Sequence, residues 1–231
     1  MDKKRVCAIL LAGGSGMRMR SVITKQQMLI KGKTVLYRAL LAFESCPDVT
    51  DIILVLKEDE IPLFDGLKSK TFTKLRKTVS AGKTRAESAF LGFKAIDFCV
   101  DFVAVHDVAR CLILPSDISK VVADAIKYGA ASASSIVTDT VKRVDEQGFI
   151  VNTEKRSDLR LAGTPQIFPY GRYCELISCV DFNDTEITDD NILFERAGVP
   201  VYMTNVGSYN IKITHPEDVA LAEYLLEKLN D

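Results

Sequence analysis

The stretch VCAILLAGGSG, residues 6–16, decides the fold class, because an apolar run leads directly into a turn with three glycines. Six consecutive apolar residues that end at such a turn are typical of a strand buried on both faces. Three cations, Arg18, Arg20 and Lys25, follow closely. Glycines let the backbone approach a ligand, and exposed N–H groups attract anions. The stretch therefore predicts either an anion-binding loop or a tight strand-to-helix turn with solvated cations.

Two familiar phosphate loops do not match this turn. A P-loop needs G-x-x-x-x-G-K-[ST], and Met17 stands where the lysine would be. A dinucleotide fingerprint needs G-x-G-x-x-G, and Gly14, Ser15 and Gly16 supply only its first half because residue 19 is Met. A triphosphate, which carries about four negative charges, fits a glycine loop flanked by cations better than a dinucleotide.

Strand and helix patterns alternate along the chain. Strands are predicted at 6–11, 51–56, 76–80, 101–107, 132–137, 200–206 and 209–214, and helices at 35–45, 84–96, 114–129, 170–182, 189–198 and 216–229. Thr84, followed three residues later by Glu87, predicts a capping box at the start of its helix. The alternation predicts one α/β domain over residues 1–231, with a doubly wound, mostly parallel sheet. Ligands of such sheets bind beyond the carboxyl ends of the strands.

Residues 138–160 interrupt the alternation. TVKRV and FIVNT flank DEQG, which predicts a β-hairpin arm that projects from the body. The arm is rich in cations, and these form either a solvated charged surface or a phosphate clamp that reaches a neighbouring subunit: Lys142, Arg143, Lys155, Arg156 and Arg160.

Polar residues directly after predicted strands are the candidates for chemistry. Asp107 and Arg110 follow one strand, where the carboxylate could bind Mg²⁺ or a hydroxyl, or form an internal ion pair with the arginine. His106 is interpreted as structural. Lys212 is an isolated cation between two isoleucines, and residues 188–190 are predicted to cap a helix, with a metal role left open.

Bulk composition argues against several classes of protein, namely nucleic-acid-binding, membrane, secreted and zinc proteins. The net charge of −1 predicts no affinity for nucleic acid or a membrane surface beyond local clusters. No apolar run is long enough to span a membrane or to form a secretory signal, so a cytoplasmic protein is expected. Six scattered cysteines and two histidines predict reduced, mostly buried thiols and no zinc site.

Eight motifs occur in order and together resemble the 2-C-methyl-D-erythritol 4-phosphate cytidylyltransferase family of non-mevalonate isoprenoid synthesis. They are LAGGSGMRM (11–19), TKQ (24–26), SAGKTRAES (80–88), VHDVAR (105–110), TDTVKR (138–143), TPQIF (164–168), ITDD (187–190) and NIKITHPEDVALAE (210–223). The resemblance covers nearly the whole chain. It implies a fold of the nucleotide-diphospho-sugar-transferase type and transfer of CMP from CTP to methylerythritol phosphate, with release of pyrophosphate.

The resemblance also implies three sets of site residues. The catalytic cations would be Arg18, Lys25 and Lys212. The nucleotide would be bound by Ala12, Gly13, Gly14, Ser15, Gly16, Gly82, Arg85 and Ser88. The polyol phosphate would be bound by Asp107, Arg110, Thr140 and Arg156. Mg²⁺ or another divalent cation would be held mainly by the CTP phosphates, with Asp107 as a further ligand, and the arm would swap between the subunits of a homodimer.

Four positions depart from the family pattern, namely Arg20, Thr24, Val108 and Cys111. Two alternative functions stay open. One is a ribitol 5-phosphate or other polyol phosphate cytidylyltransferase, which shares the glycine loop, the H-D-x-x-R segment and N-I-K. The other is a non-catalytic nucleotide-binding module.

Overall fold

The structure is a computed structural model that describes residues 3–14, 24–64 and 71–230. Within these ranges the strands are β1 (Val6–Leu11), β2 (Leu29–Ile30), β3 (Lys33–Thr34), β4 (Asp51–Leu56), β5 (Leu75–Ser80), β6 (Phe102–Asp107), β7 (Ala131–Ile136), β8 (Lys142–Val144), β9 (Ile150–Thr153), β10 (Arg160–Pro169) and β11 (Tyr202–Asn205). The helices are α1 (Val35–Ser45), α2 (Ile61–Phe64), α3 (Arg85–Lys94), α4 (Pro115–Tyr128), α5 (Tyr170–Ile177), α6 (Asn191–Arg196) and α7 (Glu217–Asn230).

The central sheet of the described chain has seven strands in the order β11-β7-β10-β6-β1-β4-β5. β10 runs antiparallel to both of its neighbours, and the other strands run parallel to one another. The chain passes from β1 to β4 and β5 on one side and then returns to β6 on the other. The strand order therefore reverses between β1 and β6, where Leu11 lies beside Asp107. The predicted mostly parallel α/β fold is confirmed.

Alternate residues of β1 show why both faces of the sheet are covered by helices. Val6, Ala8 and Leu10 point into one hydrophobic cluster, which includes residues of α1, α4 and α7. Cys7 and Ile9 point into the other, which includes residues of α3, α5 and α6. Because successive side chains of a strand point to opposite faces, an unbroken apolar run such as VCAILL requires a layer on each side.

Helix α3 lies unusually close to the sheet at Gly92. A Cβ atom on Gly92 would lie 2.5 Å from Ile9 Cγ2 and 2.8 Å from Val55 Cγ2, so a side chain there would push the helix away. At the first turn, Thr84 Oγ1 accepts a hydrogen bond from Glu87 N (3.1 Å), and Glu87 Oε2 accepts one from Lys83 N (2.6 Å). The predicted cap is thus present, and it fixes the start of α3 beyond the carboxyl end of β5.

The arm forms the predicted hairpin, in which β8 pairs with β9 antiparallel. Its turn is closed by Asp145, whose carboxylate accepts hydrogen bonds from the backbone N–H groups of Gln147 (3.1 Å) and Phe149 (2.9 Å). Gly148 has φ +91°, a conformation that favours glycine. The arm carries exposed apolar side chains, most clearly Phe149, which is 72% exposed.

The strand predicted at 209–214 is wrong. No strand forms there, because side chains and isolated backbone bonds replace the ladder of a sheet. Asn210 O accepts from Arg110 Nη1 (2.9 Å), and Ile213 N donates to Ala109 O (2.8 Å). The Ile-Lys-Ile alternation thus has the period of a strand but is satisfied by the neighbouring loop.

Other boundaries also differ from the predictions. The helix predicted over 170–182 ends at Ile177, and the one predicted over 189–198 is α6. β10, which contains the TPQIF motif, was not predicted as a strand, and neither were the two-residue strands β2 and β3. Among the described residues the cysteines are free, and three of the six, Cys46 among them, are buried. No described helix combines the length and apolar character needed to cross a membrane.

Candidate active site

A cavity of about 570 Å³ opens at the carboxyl ends of β1, β5 and β6, where the strand order reverses. Six segments of the described chain meet there, and most of the predicted site residues that the structure describes lie on them. The described lining residues are Leu11, Ala12, Gly13, Gly14, Lys25, Gln26, Lys57, Glu58, Ala81, Gly82, Lys83, Thr84, Arg85, Ser88, Asp107, Ala109 and Lys212.

The start of the glycine loop is fixed by the sheet. Ala12 is buried, and its N–H extends the ladder by donating to Val55 O (2.7 Å). A Cβ atom on Gly13 would overlap the Cβ of Ala81, so glycine is required where this loop crosses the end of β5. A Cβ atom on Gly14 would meet no atom within 4 Å, and Gly14 lines the cavity. Ser15, Gly16 and Arg18, as well as Arg20, lie outside the described residues.

Lys25 and Gln26 form a short 3-10 turn over residues 25–27 that lines the cavity. Gln26 is buried and donates its side-chain N–H to Ala12 O, which ties this turn to the glycine loop. Lys25 Nζ lies 3.3 Å from Ile213 O and so approaches the segment that carries Lys212. The two predicted cations of this region are therefore brought to one wall, although they are 187 positions apart in sequence.

The turn before α3 supplies a second backbone wall. Gly82 N donates to Ser88 Oγ (3.1 Å), and Ser88 Oγ donates to Thr84 O (2.8 Å). A Cβ atom on Gly82 would overlap the side chain of Glu87, which belongs to the helix cap. The predicted nucleotide-binding residues Gly82 and Ser88 are thus held in one rigid turn.

Asp107 ends β6 and is held from both sides. Its Oδ1 accepts from Arg85 Nε (2.9 Å), and its Oδ2 accepts from Lys212 Nζ (2.7 Å). Thr164 Oγ1 accepts from the backbone N–H of Asp107 (3.1 Å). Burial opposes ionisation, but the charges of Arg85 and Lys212 outweigh it and hold the pKa of the Asp107 carboxyl well below its ordinary value.

Arg85 also pairs with a second, more deeply buried carboxylate, that of Asp190. Its Nη1 donates to Asp190 Oδ2 (2.6 Å), so the guanidinium lies between Asp107 and Asp190. Burial lowers the pKa of Arg85, but the two carboxylates raise it further than burial lowers it, well above its ordinary value. The sequence placed Arg85 in the nucleotide set from its motif alone, without the ion pairs that it makes.

Arg110 does not pair with Asp107. Its Nη1 donates to Asn210 O (2.9 Å) and its Nη2 to Ala162 O (3.2 Å), which clamps the segment before Lys212 to β10. It lines a second cavity of about 340 Å³, which shares Lys212 with the first. The internal Asp107–Arg110 pair that the sequence left open does not form, because Arg85 and Lys212 occupy both carboxylate oxygens.

Thr140 and Arg156 lie on the arm and line neither of these two cavities. Both residues are exposed, and Arg156 Nη1 donates to Thr138 O (2.5 Å). Within the described part of one chain they are therefore not brought together with Lys25, Asp107 and Lys212.

Three polar residues of the site region were not predicted as site residues. Thr164 joins Asp107 to His106, whose Nδ1 lies 3.0 Å from Thr164 Oγ1. Asn210 is buried and donates to Thr164 O (3.0 Å). Gln166 Oε1 accepts from Asp190 N (2.9 Å). The TPQ and NIK motifs contained these residues, but a motif does not show which backbone group a side chain will meet.

His106 is fully buried against Phe43, and burial lowers its pKa to about 3, so the imidazole is neutral at physiological pH. The structural interpretation of His106 agrees with this environment.

Val108 and Cys111, two of the departures from the family pattern, point into the hydrophobic core and not into the cavity. Thr24, a third, donates from Oγ1 to Glu60 Oε1 (2.7 Å).

The described residues do not fit a resident metal ion. Among residues 3–14, 24–64 and 71–230 no group of three or more His, Cys, Asp or Glu side chains is arranged to hold one. Both oxygens of Asp107 are already engaged by cations.

A glycine loop and converging cations at the reversal point of an α/β sheet define the class: an α/β protein of the nucleotidyltransferase type. The sequence model of the 2-C-methyl-D-erythritol 4-phosphate cytidylyltransferase family matches residues 6–228. The chain therefore belongs to this family of cytidylyltransferase enzymes.

Individual relatives agree with this assignment. The chain is 39% identical to the 2-C-methyl-D-erythritol 4-phosphate cytidylyltransferase of Clostridium botulinum (strain Loch Maree / Type A3), over 99% of this chain and 100% of that one. It is 37% identical to the enzyme of the same name from Clostridium perfringens (strain SM101 / Type A), over 96% and 99%. The crystal structure of 4-diphosphocytidyl-2C-methyl-D-erythritol synthase from Anaerococcus prevotii DSM 20548 superposes with a TM-score of 0.86 at 29% identity, covering 98% of this chain and 97% of that one.

Proposed function

We propose that this chain transfers CMP from CTP to 2-C-methyl-D-erythritol 4-phosphate, giving 4-diphosphocytidyl-2-C-methyl-D-erythritol and pyrophosphate. One observation carries the proposal: Lys25, Lys212 and Asp107 converge with the glycine loop on a single cavity at the reversal point of the sheet. The names of the relatives and the length of the match support the same substrates over ribitol 5-phosphate.

The nucleotide lies between two backbone walls in this proposal. The loop Ala12–Gly16 cradles the triphosphate with its N–H groups, and the rigid turn from Gly82 to Ser88 lines the cytosine pocket. Arg18 and Lys25 neutralise the triphosphate, and the part assigned to Arg18, Ser15 and Gly16 rests on the sequence motif alone.

The reaction needs positioning and charge neutralisation more than acid–base chemistry. An oxygen of the acceptor phosphate attacks the α-phosphorus of CTP, and the bond from that phosphorus to the oxygen bridging to the β-phosphate breaks. Pyrophosphate leaves with the bonding electron pair. A phosphate monoester is largely dianionic near pH 7, since its second pKa is about 6, so it attacks without a general base. This agrees with the cations Lys25, Arg85 and Lys212 in the described cavity lining and with the buried, neutral state of the nearby His106.

Lys212 and Asp107 exchange partners when both substrates bind, in this proposal. The Lys212 ammonium meets the reacting phosphate, and a hydroxyl of the methylerythritol unit donates to Asp107 Oδ2. The two new contacts together replace the ion pair that now joins these side chains at 2.7 Å. Arg110 lies at the adjoining cavity and completes the acceptor site from there.

Mg²⁺, which the family resemblance implies, is proposed to be bound by the phosphate oxygens of CTP, since the described residues form no metal site of their own. Lys25 and Lys212 then add positive charge from the protein itself.

A homodimer completes the site in this proposal. The arm exposes a continuous apolar run, Phe149, Ile150 and Val151, each more than 60% exposed, which is a surface that a second subunit would cover. Swapping the arm would carry Thr140 and Arg156 to the cavity of the partner, where they meet the phosphate of the acceptor.

Pyrophosphate release from CTP and Mg²⁺ tests the proposal, with methylerythritol phosphate and ribitol 5-phosphate offered in parallel. We expect release with methylerythritol phosphate and little with ribitol 5-phosphate. Activity with ribitol 5-phosphate alone would overturn the substrate assignment. CTP binding without pyrophosphate release from any polyol phosphate would show a nucleotide-binding module instead.

A further inference from the structure

Asp190 stands at the residue before α6 but does not cap that helix. Its side chain is only 2% exposed and makes no hydrogen bond to the N–H groups of the first turn. The neighbouring Asp189 takes that role, because its Oδ1 accepts from Ile192 N (3.3 Å). The sequence-based prediction of a cap is therefore correct for one aspartate and leaves the buried one unexplained.

Asp190 is bound by three other parts of the fold. Its Oδ2 accepts from Arg85 Nη1 (2.6 Å), and its Oδ1 accepts from Tyr173 Oη (2.7 Å). Its backbone N–H donates to Gln166 Oε1 (2.9 Å). A buried carboxylate is costly unless it is paired and hydrogen-bonded, so these contacts are what make its position in the core possible.

The hydroxyl of Tyr173 donates its hydrogen bond to Asp190. Tyr173 is fully buried, and burial together with the charge of Asp190 raises the pKa of the phenol well above its ordinary value. The hydroxyl is therefore a permanent donor to the carboxylate. The pair fixes Asp190 relative to α5.

Arg85 transmits this fixed position to the cavity. A guanidinium is planar and rigid, and here its Nε and Nη1 bind two different carboxylates, at 2.9 Å and 2.6 Å. Rotating the plane would break one of the two bonds. The orientation of Arg85, and through it of Asp107, thus depends on Asp190.

The charges of the four side chains that are joined by these ion pairs also balance. Arg85 and Lys212 carry two positive charges, and Asp107 and Asp190 carry two negative ones. Without the charge of Asp190, these groups would carry a net positive charge, and Arg85 would lose one of the two carboxylates that fix the plane of its guanidinium.

We propose that Asp190 is a positioning residue for the acceptor site: held by Tyr173, it fixes Arg85 and thereby aims Asp107 at the polyol phosphate. The inference rests on the proposed function, since it assigns Asp107 to the acceptor. It also moves the main role of Arg85 from the nucleotide pocket to the acceptor side.

The test compares Asp190→Asn and Tyr173→Phe with Asp51→Asn in steady-state kinetics. Asp51 is a matched control, because it is equally buried and paired with two arginines, Arg5 (3.0 Å) and Arg76 (2.6 Å), but it lies at the amino edge of the sheet. We expect Asp190→Asn to raise the KM for methylerythritol phosphate on the order of ten- to a hundredfold and to leave the KM for CTP within about twofold. Tyr173→Phe should shift the same constant in the same direction by less, and Asp51→Asn should shift neither.

Each other outcome decides against the inference. A rise in the KM for CTP would return Arg85 to the nucleotide site, and equal effects of Asp190→Asn and Asp51→Asn would show a structural role only. If Asp190→Asn does not fold, Tyr173→Phe decides, because it removes one hydroxyl and keeps the carboxylate. Wild-type turnover is measured beside the variants, so that failure of the proposed reaction is seen as an inactive wild type and is not confused with failure of the inference.

Discussion

Lys212 is the residue whose charge lies between the proposed nucleotide site and the proposed acceptor site. Its ammonium lies 2.7 Å from Asp107, its side chain is 42% exposed, and it lines both cavities. We expect Lys212→Ala to lower the turnover rate on the order of 10²–10³, the range for loss of a donor that stabilises transition-state charge. Lys94→Ala, an exposed lysine on α3, is the matched control and should keep wild-type turnover. Equal rates for the two variants would remove Lys212 from the mechanism.

Asp107 gives the site a pH-dependent contribution to stability. Its pKa in the folded chain is held below the value of about 3.9 expected when unfolded. The ionised carboxylate therefore stabilises the fold above that pH, and the contribution is lost as the pH falls through the folded pKa.

Urea denaturation at several pH values checks this. We expect the difference in free energy of unfolding between wild type and Asp107→Asn to be largest near pH 7 and to shrink below about pH 4. The exposed Asp139→Asn serves as control. A difference that stays constant from neutral to acid pH would contradict the assigned ion pairs.

At the scale of single residues, the sequence predicted which side chains belong to the site better than it predicted the partners of those side chains. Asp107, Lys25 and Lys212 were predicted and do converge on one cavity. The partner of Arg85 was not predictable, because Asp190 lies 105 positions away and its motif resembles an ordinary helix cap. Burial and pairing across such separations are properties of the folded chain.

At the scale of elements, hydrophobic periodicity predicted the strands and helices whose bounds are set by their own local sequence. β1, β4 and α1 begin and end as predicted, because their apolar runs match the period of the element over its whole length. The segment 209–214 did not follow its pattern, since Arg110 and the backbone of Ala109 supply hydrogen bonds that a strand would need from a neighbouring strand.

The cap of α3 links an element to the site, and Thr84→Ala tests that link. Loss of the Thr84 Oγ1 bond to Glu87 N should lower the free energy of unfolding by about 1 kcal/mol. Because the same turn forms the proposed cytosine pocket, CTP binding should weaken by up to about fivefold, as measured by calorimetry.

Thr34→Ala is the matched control for this variant. Thr34 caps α1 by accepting from Tyr37 N (3.0 Å), and it does not line the cavity. It should cost similar stability and leave CTP affinity unchanged. An equal loss of affinity in both variants would separate the α3 cap from nucleotide binding.

At the scale of the whole molecule, one described chain holds the cavity but not the arm residues assigned to it. The exposed apolar face of the arm and the absence of Thr140 and Arg156 from the described linings of both cavities have one explanation in the proposed dimer. The arm itself was predictable from its alternation and its turn, whereas its place in an assembly was implied only by the resemblance.

Mixed subunits test the crossing of the arm. Lys25→Ala and Arg156→Ala subunits should each be nearly inactive alone. After unfolding and refolding together in equal amounts, about one quarter of wild-type activity should return, because half of the dimers are mixed and each has one intact site. Recovery no greater than the sum of the separate variants would mean that the arm acts on its own chain or not at all.

Transfer of label from CTP tests the central claim most directly. CTP labelled at the α-phosphorus is incubated with methylerythritol phosphate and Mg²⁺, and the products are separated. The account predicts that the label moves into a cytidine diphosphate ester of methylerythritol, while the β- and γ-phosphates appear together as pyrophosphate. Label that remains in CTP, or that appears as free CMP at the same rate with and without the acceptor, would contradict it.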